Sequence, residues 1–61
     1  MKQSEIVVGG VYRGNGPDRE VWDIMSSQIL RQPLVFFGID GHKHQNTLKY
    51  FAAWAKERVD G

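Results

Sequence analysis

The segment Asp40-Gly41-His42-Lys43-His44 contains the side chains of this sequence that could bind a metal ion. Histidines two positions apart on a strand point to the same side of it, and Asp40 could supply an oxygen ligand. A closed zinc site needs four ligands, however, and Lys43 would bring a positive charge next to the ion. The pattern favours an exposed turn or edge strand. Asp40, His42 and His44 are candidate ligands only, and we predict no metal or other cofactor.

The glycines and serines do not form a catalytic or phosphate-binding motif. A P-loop needs Gly-Lys-Ser/Thr at the start of a helix, whereas Gly16 is followed by Pro17. The chain has no cysteine, and Ser4, Ser26 and Ser27 have no nucleophile motif around them. A chain of 61 residues also has little room for a ligand pocket of several hundred cubic ångströms. We therefore predict that the protein is not an enzyme and has no small-molecule substrate.

Aromatic residues next to cationic residues indicate a possible nucleic-acid surface. Small barrels hold single strands by stacking bases on exposed aromatic rings beside Lys or Arg. The residues that would do so here are Tyr12, Arg13, Arg19, Lys43 and Lys49. The formal net charge is only +1, which predicts no broad attraction to nucleic acid or to membranes. Nucleic-acid binding is therefore the alternative function.

A surplus of large aromatic residues favours a protein partner instead. So small a core has little room for all of them, and an exposed apolar patch is typical of interaction sites. Trp and Tyr are common anchors in such sites. The candidates are Trp22 and the pair Tyr50 and Trp54, which are spaced by one helical turn. We predict a binding protein whose partner is another protein or a second copy of itself.

Turn signals divide the first two thirds of the chain into short strands. Residues 1–5 are expected to be flexible, and the β-branched and aromatic residues of 6–13 predict a strand. The turn at residues 13–18 contains an Asn-Gly step, which is typical of hairpins. Residues 19–27 fit either a strand or a helix, and the hairpin signal favours the strand. If these residues form a strand, their side chains alternate between its two faces. One face would then carry Val21, Asp23 and Met25, and the other face would carry Glu20, Trp22 and Ile24.

The middle of the chain predicts one buried strand between two polar segments. Residues 26–32 are expected to form a loop with Ile29 and Leu30 packed inward. Residues 34–39 are almost entirely apolar, which indicates a central strand. Asp40-Gly41 signals a turn, and residues 42–46 are either a loop or a short fourth strand.

The end of the chain predicts an amphipathic helix over residues 47–58. Its N-cap is either Asn46 or Thr47. Lys56 and Arg58 would lie in the last turn, where cations complement the helix dipole. The apolar residues that recur at helical spacing are Leu48, Phe51, Ala52, Ala55 and Val59.

Length and composition describe one small domain over residues 1–61. A hydrophobic fraction of 41% argues against disorder, and the absence of cysteine fits a reducing cytoplasm. The longest apolar runs are far shorter than a membrane-spanning helix, and the N-terminus lacks a signal-peptide pattern. The expected fold is mainly β (α+β): residues 6–45 form a small antiparallel barrel or curled sheet of three to five strands, closed by the C-terminal helix.

Three segments resemble a group of short phage and prophage proteins. They are Val8-Gly9-Gly10-Val11-Tyr12-Arg13-Gly14, Arg19-x-Val21-x-Asp23-Ile24 and Thr47-Leu48-Lys49-x-Phe51-Ala52-x-Trp54-Ala55. The resemblance spans most of the chain and consists of hydrophobic positions and turn glycines. It implies an SH3-like small barrel and an accessory protein of uncharacterised role in the cytoplasm of a bacterial host cell. It supplies no catalytic residues.

Overall fold

The computed structural model describes residues 1–60 as one antiparallel sheet of five strands with a short α-helix. Gly61, which the predicted domain includes, lies outside the described residues. The strands are β1 Val11–Arg13, β2 Arg19–Ser27, β3 Gln32–Ile39, β4 His42–Thr47 and β5 Glu57–Arg58, and helix α1, Leu48–Trp54, joins β4 to β5. The order in the sheet is β4-β3-β2-β1-β5. The prediction of a mainly β fold with one helix near the C-terminus is confirmed.

The hairpin of β1 and β2 forms at the predicted turn, but β1 covers only the end of the strand predicted over residues 6–13, because a turn at Gly9, with a φ of 88°, precedes it. Tyr12 lies opposite Arg19, and Val11 lies opposite Glu20. Gly16 has a φ of 95°, a left-handed conformation that glycine adopts without steric cost. The strand interpretation of residues 19–27 is confirmed, and the helix alternative is wrong.

An irregularity in β2 decides which of its side chains face the core. The register with β3 shifts between Val21 and Asp23, so that Val21 opposes Phe37 and Ile24 opposes Val35. An extra residue in one strand bends that strand and breaks its alternation. The predicted strict alternation is therefore wrong. Val21 is buried and Ile24 packs against the core, whereas Asp23 and Met25 are exposed.

Residues 42–46, predicted to be either a loop or a short fourth strand, form a strand that pairs with β3. Asp40 and Gly41 both have positive φ, as a tight two-residue turn requires. The turn between β2 and β3 is shorter than the loop predicted over residues 26–32, because the two strands extend to Ser27 and from Gln32. Ile29 and Leu30 are 93% and 51% exposed. They do not pack inward, since residues 28–31 lie at the hairpin tip, beyond the last paired residues of the two strands.

The core lies between one face of the sheet and α1. Phe51 of the helix packs edge-on against Tyr12 and Phe37, with ring centres 5.7 and 5.1 Å apart. No helix in residues 1–60 has the length and apolar character needed to span a membrane. The buried side chains of the core are Ile6, Tyr12, Val21, Val35, Phe37, Leu48, Phe51, Ala52 and Ala55.

Helix α1 begins where the sequence predicts and ends earlier. Of the two candidate caps, Thr47 is the N-cap, and its hydroxyl oxygen accepts the Tyr50 backbone N–H at 3.1 Å. The helix stops at Trp54, so the predicted end at residue 58 is wrong. The residues that follow are extended and pair with β1, because that strand has an open edge whose backbone groups need partners. Lys56, Arg58 and Val59 therefore do not belong to the helix.

Residues 1–5, predicted to be flexible, contain a 3-10 helix, Gln3–Glu5. The Met1 ammonium donates to the carbonyl oxygens of Ala52 and Ala55 at 2.8 and 3.0 Å. A positive charge at the C-terminal end of a helix is electrostatically favourable. These contacts hold the start of the chain against the end of α1.

Candidate functional site

The predicted site residues lie on opposite faces of the sheet. Phe37 faces α1, so its neighbour Phe36 projects from the other face, because side chains alternate along a strand. We call the group Arg19, Tyr50 and Trp54, on the side of α1, the helix-side cluster. We call the group Trp22, Asp23, Met25, Phe36 and Lys43, on the other face, the outer groove. The candidates Trp22, Tyr50 and Trp54 therefore do not form one surface.

Arg19 is the centre of the helix-side cluster. It lies opposite Tyr12 on the neighbouring strand, so its side chain emerges on the face of the sheet that carries α1. Its guanidinium carbon lies 3.9 Å from the centre of the Trp54 ring, 4.9 Å from that of Phe37 and 5.9 Å from that of Phe51. The faces of these rings attract the cation. The aromatic residues thus hold the guanidinium group in one position.

Arg19 has no acidic partner among residues 1–60, in contrast to two other arginines. Arg13 binds both carboxylate oxygens of Asp18 at 2.9 and 3.1 Å, and Arg58 binds both oxygens of Asp60 at 2.7 and 3.1 Å. The Nε atom of Arg19 is buried and lacks a hydrogen-bond acceptor. Burial lowers the pKa of Arg19, an effect that the nearby Tyr50 opposes. The cluster therefore presents a positive charge without a counter-charge.

Trp54 acts mainly as a platform for Arg19. Its indole N–H donates to the Asn15 carbonyl oxygen at 2.8 Å, which joins the helix to the β1–β2 turn. The ring also lies against Gly14, where a Cβ atom would come within 2.7 Å of the Trp54 Cε2 atom. Only a residue without a side chain fits there. The more accessible aromatic residue of the cluster is Tyr50, which is 59% exposed.

The predicted nucleic-acid residues are separated by the fold. Tyr12 is fully buried, and its hydroxyl accepts the Val7 N–H and donates to the Glu5 carbonyl oxygen, both at 2.8 Å. Its ring is therefore not available for base stacking, which corrects the prediction. The charge of Arg13 is compensated by Asp18, as described above. Lys49 is exposed on α1, and Lys43 lies on the other face of the sheet.

The candidate metal ligands lie around the β3–β4 turn. His44 stacks on Phe37, with ring centres 5.7 Å apart and ring planes inclined by 18°. His42 is two positions earlier on the same strand, and Asp40 is in the turn. In the part of the chain that the structure describes, no group of three or more His, Asp or Glu side chains is close enough to hold a metal ion.

The outer groove is an open depression of about 300 Å³ on the exposed face of the sheet. Trp22 is 40% and Met25 51% exposed. The Trp22 ring lies over Gly38, where a Cβ atom would come within 2.7 Å of the Trp22 Cε2 atom, and its indole N–H donates to Glu20 at 2.8 Å. The Lys43 Nζ atom is 5.3 Å from the centre of the Phe36 ring. The groove is apolar at its base and carries one acid and one base.

Sequence reasoning predicted Trp22 and Lys43 as site residues but not their neighbours in the groove. Asp23 and Met25 were assigned to the face opposite Trp22, because strict alternation was assumed for β2. The bulge in this strand places all three side chains at the groove. Only the pairing of β2 with β3 reveals this, and no turn residue in the sequence signals it.

Comparison of the chain with protein-family models, curated proteins and solved structures gives no match. A functional interpretation therefore depends on the chemistry of the two faces.

Proposed function

We propose that the chain is a non-enzymatic protein-interaction module that recognises a carboxylate group of a partner protein at the helix-side cluster. The observation that carries the proposal is the Arg19 guanidinium, which is stacked on Trp54, partly buried and without an acidic partner. Removing a charge from water without a counter-charge costs free energy. A carboxylate from a partner would supply both the counter-charge and hydrogen-bond acceptors.

The chemistry of the cluster fits a side chain or C-terminal carboxylate of a protein. A guanidinium group offers a planar set of N–H donors that matches the two oxygens of a carboxylate. Tyr50, one helical turn before Trp54, adds an exposed ring on which an apolar group next to the carboxylate can pack. The partner segment is therefore expected to combine an acidic group with an apolar residue.

The distribution of cations favours protein over nucleic acid. Proteins that bind single strands use a positively charged groove that follows many phosphates, together with exposed aromatic rings. Here the Arg13 charge is compensated, the Tyr12 ring is buried, and Lys43 lies on the opposite face from Arg19. A single uncompensated arginine in the helix-side cluster suits one carboxylate better than it suits a chain of phosphates.

We also propose that the sheet curls as an SH3-like barrel and that the protein is a phage-type accessory protein. The strand order β4-β3-β2-β1-β5, with a short helix before the last strand, supports the first part. The bulge in β2 supplies the bend that such curling needs. The second part depends on the sequence resemblance of the three segments described above.

The proposal is tested by NMR titration of the ¹⁵N-labelled chain with a blocked peptide that alternates Glu and Leu. A peptide with Gln in place of Glu is the matched ligand control. We expect the Trp54 indole N–H signal to shift with the acidic peptide while that of Trp22, on the other face, stays in place. Arg19→Gln should weaken binding by about tenfold or more, because a charge-assisted hydrogen bond is lost. Arg31→Gln, which removes the same charge from the β2–β3 turn, should not.

Two results would overturn the proposal. In the first, the Gln peptide binds as well as the Glu peptide, or Arg31→Gln weakens binding as much as Arg19→Gln. In the second, single-stranded oligonucleotide shifts the Trp54 signal at about 50 mM salt while neither peptide does, which would establish the nucleic-acid alternative.

A further inference from the structure

We infer that the outer groove is a self-association surface on which a second copy of this chain docks face to face about a two-fold axis. The groove lies on the opposite side of the sheet from the helix-side cluster. The inference is therefore independent of the proposed function.

The face of the sheet that carries the outer groove exposes several large apolar side chains. Side chains of β2 and β3 that project away from α1 include Trp22, Met25 and Phe36, and the first two are 40% and 51% exposed. Monomeric proteins rarely leave large contiguous apolar patches in water. Two sheets pack well when their apolar faces meet, with side chains from both filling the space between them. A second copy would cover this face with an identical one.

Side chains of opposite charge flank Phe36 on its two sides. Asp23 lies directly opposite Phe36 on β2, and Lys43 reaches over the Phe36 ring from β4, on the other side. Within residues 1–60, neither Asp23 nor Lys43 takes part in an ion pair. Of the residues that line the groove, Asp23 is the acidic one and Lys43 the basic one, and they lie on opposite sides of the Phe36 ring.

This arrangement is complementary to itself. In a two-fold interface, if residue i of one copy contacts residue j of the other, then j also contacts i. An axis parallel to β3 at Phe36 places β2 of one copy against β4 of the other. Asp23 of each copy then meets Lys43 of its partner, which forms two equivalent ion pairs across the apolar centre. A strongly acidic or basic partner would instead face a like charge on one side of the groove.

The size of the molecule limits how tight this dimer can be. The two longest extents of the described chain are 30 and 24 Å, so its broadest face covers roughly 700 Å². A standard stable interface buries about 800 Å² on each partner. The expected dimer is therefore in rapid, concentration-dependent exchange with the monomer.

The inference is tested by sedimentation equilibrium of the full chain and of variants in which the charge of Asp23 or of Lys43 is reversed, each over a range of concentrations. Asp23→Lys and Lys43→Asp should each weaken dimerisation by about tenfold or more, because each replaces two attractive pairs with two repulsive ones. An equimolar mixture of the two variants should dimerise again, since opposite charges then face each other at both contacts. Lys49→Asp, the same substitution on α1, is the matched control and should leave dimerisation unchanged.

Circular dichroism and urea unfolding of each variant separate a loss of association from a loss of folding. Restored association in the mixture cannot come from unfolded chains, so this measurement supports the inference even where one variant is less stable. A chain that stays monomeric up to about 1 mM would overturn it. A dimer that persists in both single variants, or a mixture that fails to dimerise, would do the same.

Discussion

Residues of the same type have different roles in this protein, depending on what surrounds them. Tyr12 is fully buried and makes two hydrogen bonds through its hydroxyl, whereas Tyr50 is 59% exposed. Arg13 is neutralised by Asp18, whereas Arg19 is stacked on aromatic rings without an acidic partner. The pairing of Tyr12 with Arg19 across the hairpin places Arg19 beside the core, and this pairing follows from the turn that the sequence predicts.

The Tyr12 hydroxyl provides a stability prediction at the residue scale. Tyr12→Phe keeps the ring but leaves the Val7 N–H and the Glu5 carbonyl oxygen without their partner. Loss of a partner for a shielded polar group costs about 1–3 kcal/mol, so the urea midpoint should fall. Tyr50→Phe, at an exposed ring, is the control and should leave the midpoint within error. Equal midpoints for Tyr12→Phe and the unmodified chain would contradict the hydrogen bonding described for Tyr12.

Among the elements, α1 and β5 differ most from their prediction. Leu48, Phe51, Ala52 and Ala55 have the spacing of an apolar helical stripe, and all four are buried. The helix nevertheless ends at Trp54, and the extended residues beyond it complete the edge of the sheet. Helical spacing indicates which residues face the core. It does not predict where the helix ends, because the residues beyond Trp54 pair with the open edge of β1.

The start of α1 provides a prediction at the scale of the element. Thr47→Ala removes the oxygen that accepts the Tyr50 N–H, and loss of such a cap costs about 1 kcal/mol. We expect a lower thermal midpoint for Thr47→Ala. Thr47→Ser, which keeps a hydroxyl group, should retain most of the stability. If Thr47→Ser is as unstable as Thr47→Ala, the β-branched side chain matters for β4 and the cap does not.

At the scale of the whole molecule, the two ends of the sheet are built differently. At one end, the edge strand β4 pairs with β3 over six residue pairs, whereas at the other end the edge strand β5 contributes only two residues, Glu57–Arg58. Asp60 reinforces this short edge. It accepts the Val11 N–H at 2.9 Å and binds the Arg58 guanidinium. A single carboxylate thus joins the end of the described chain to β1.

Acid should weaken this edge in a way that depends on Asp60. The hydrogen bonds from Arg58 and then from the Val11 N–H hold the pKa of Asp60 well below its ordinary value. Because the folded state favours the ionised carboxylate, its contribution to stability is present above about pH 4 and is lost as the pH falls through the lower, folded pKa. The urea midpoint should therefore decline below about pH 4. Asp60→Asn should lower the midpoint at neutral pH and reduce the decline, because it removes the titrating group.

Asp40→Asn is the control for this acid effect. Asp40 lies in the β3–β4 turn and takes part in no ion pair of residues 1–60, so its replacement should leave the decline unchanged. An equally steep decline in Asp60→Asn would show that other carboxylates dominate. The smaller decline of the urea midpoint that remains in Asp60→Asn is expected to come from Asp18, whose pKa is lowered by its hydrogen bond from Arg13.

Features that depend on near neighbours in the chain can be predicted from the sequence. The Asn15-Gly16 and Asp40-Gly41 steps predict the turns, the apolar run at residues 34–39 predicts a central strand, and the capping residues Asn46 and Thr47 predict the start of the helix. Tertiary structure alone decided the bulge in β2, the end of α1, the stacking of Arg19 and the separation of Trp22 from Tyr50 and Trp54. These features depend on which strands pair and which edge remains open. Such contacts join residues far apart in the chain, where local spacing carries no information.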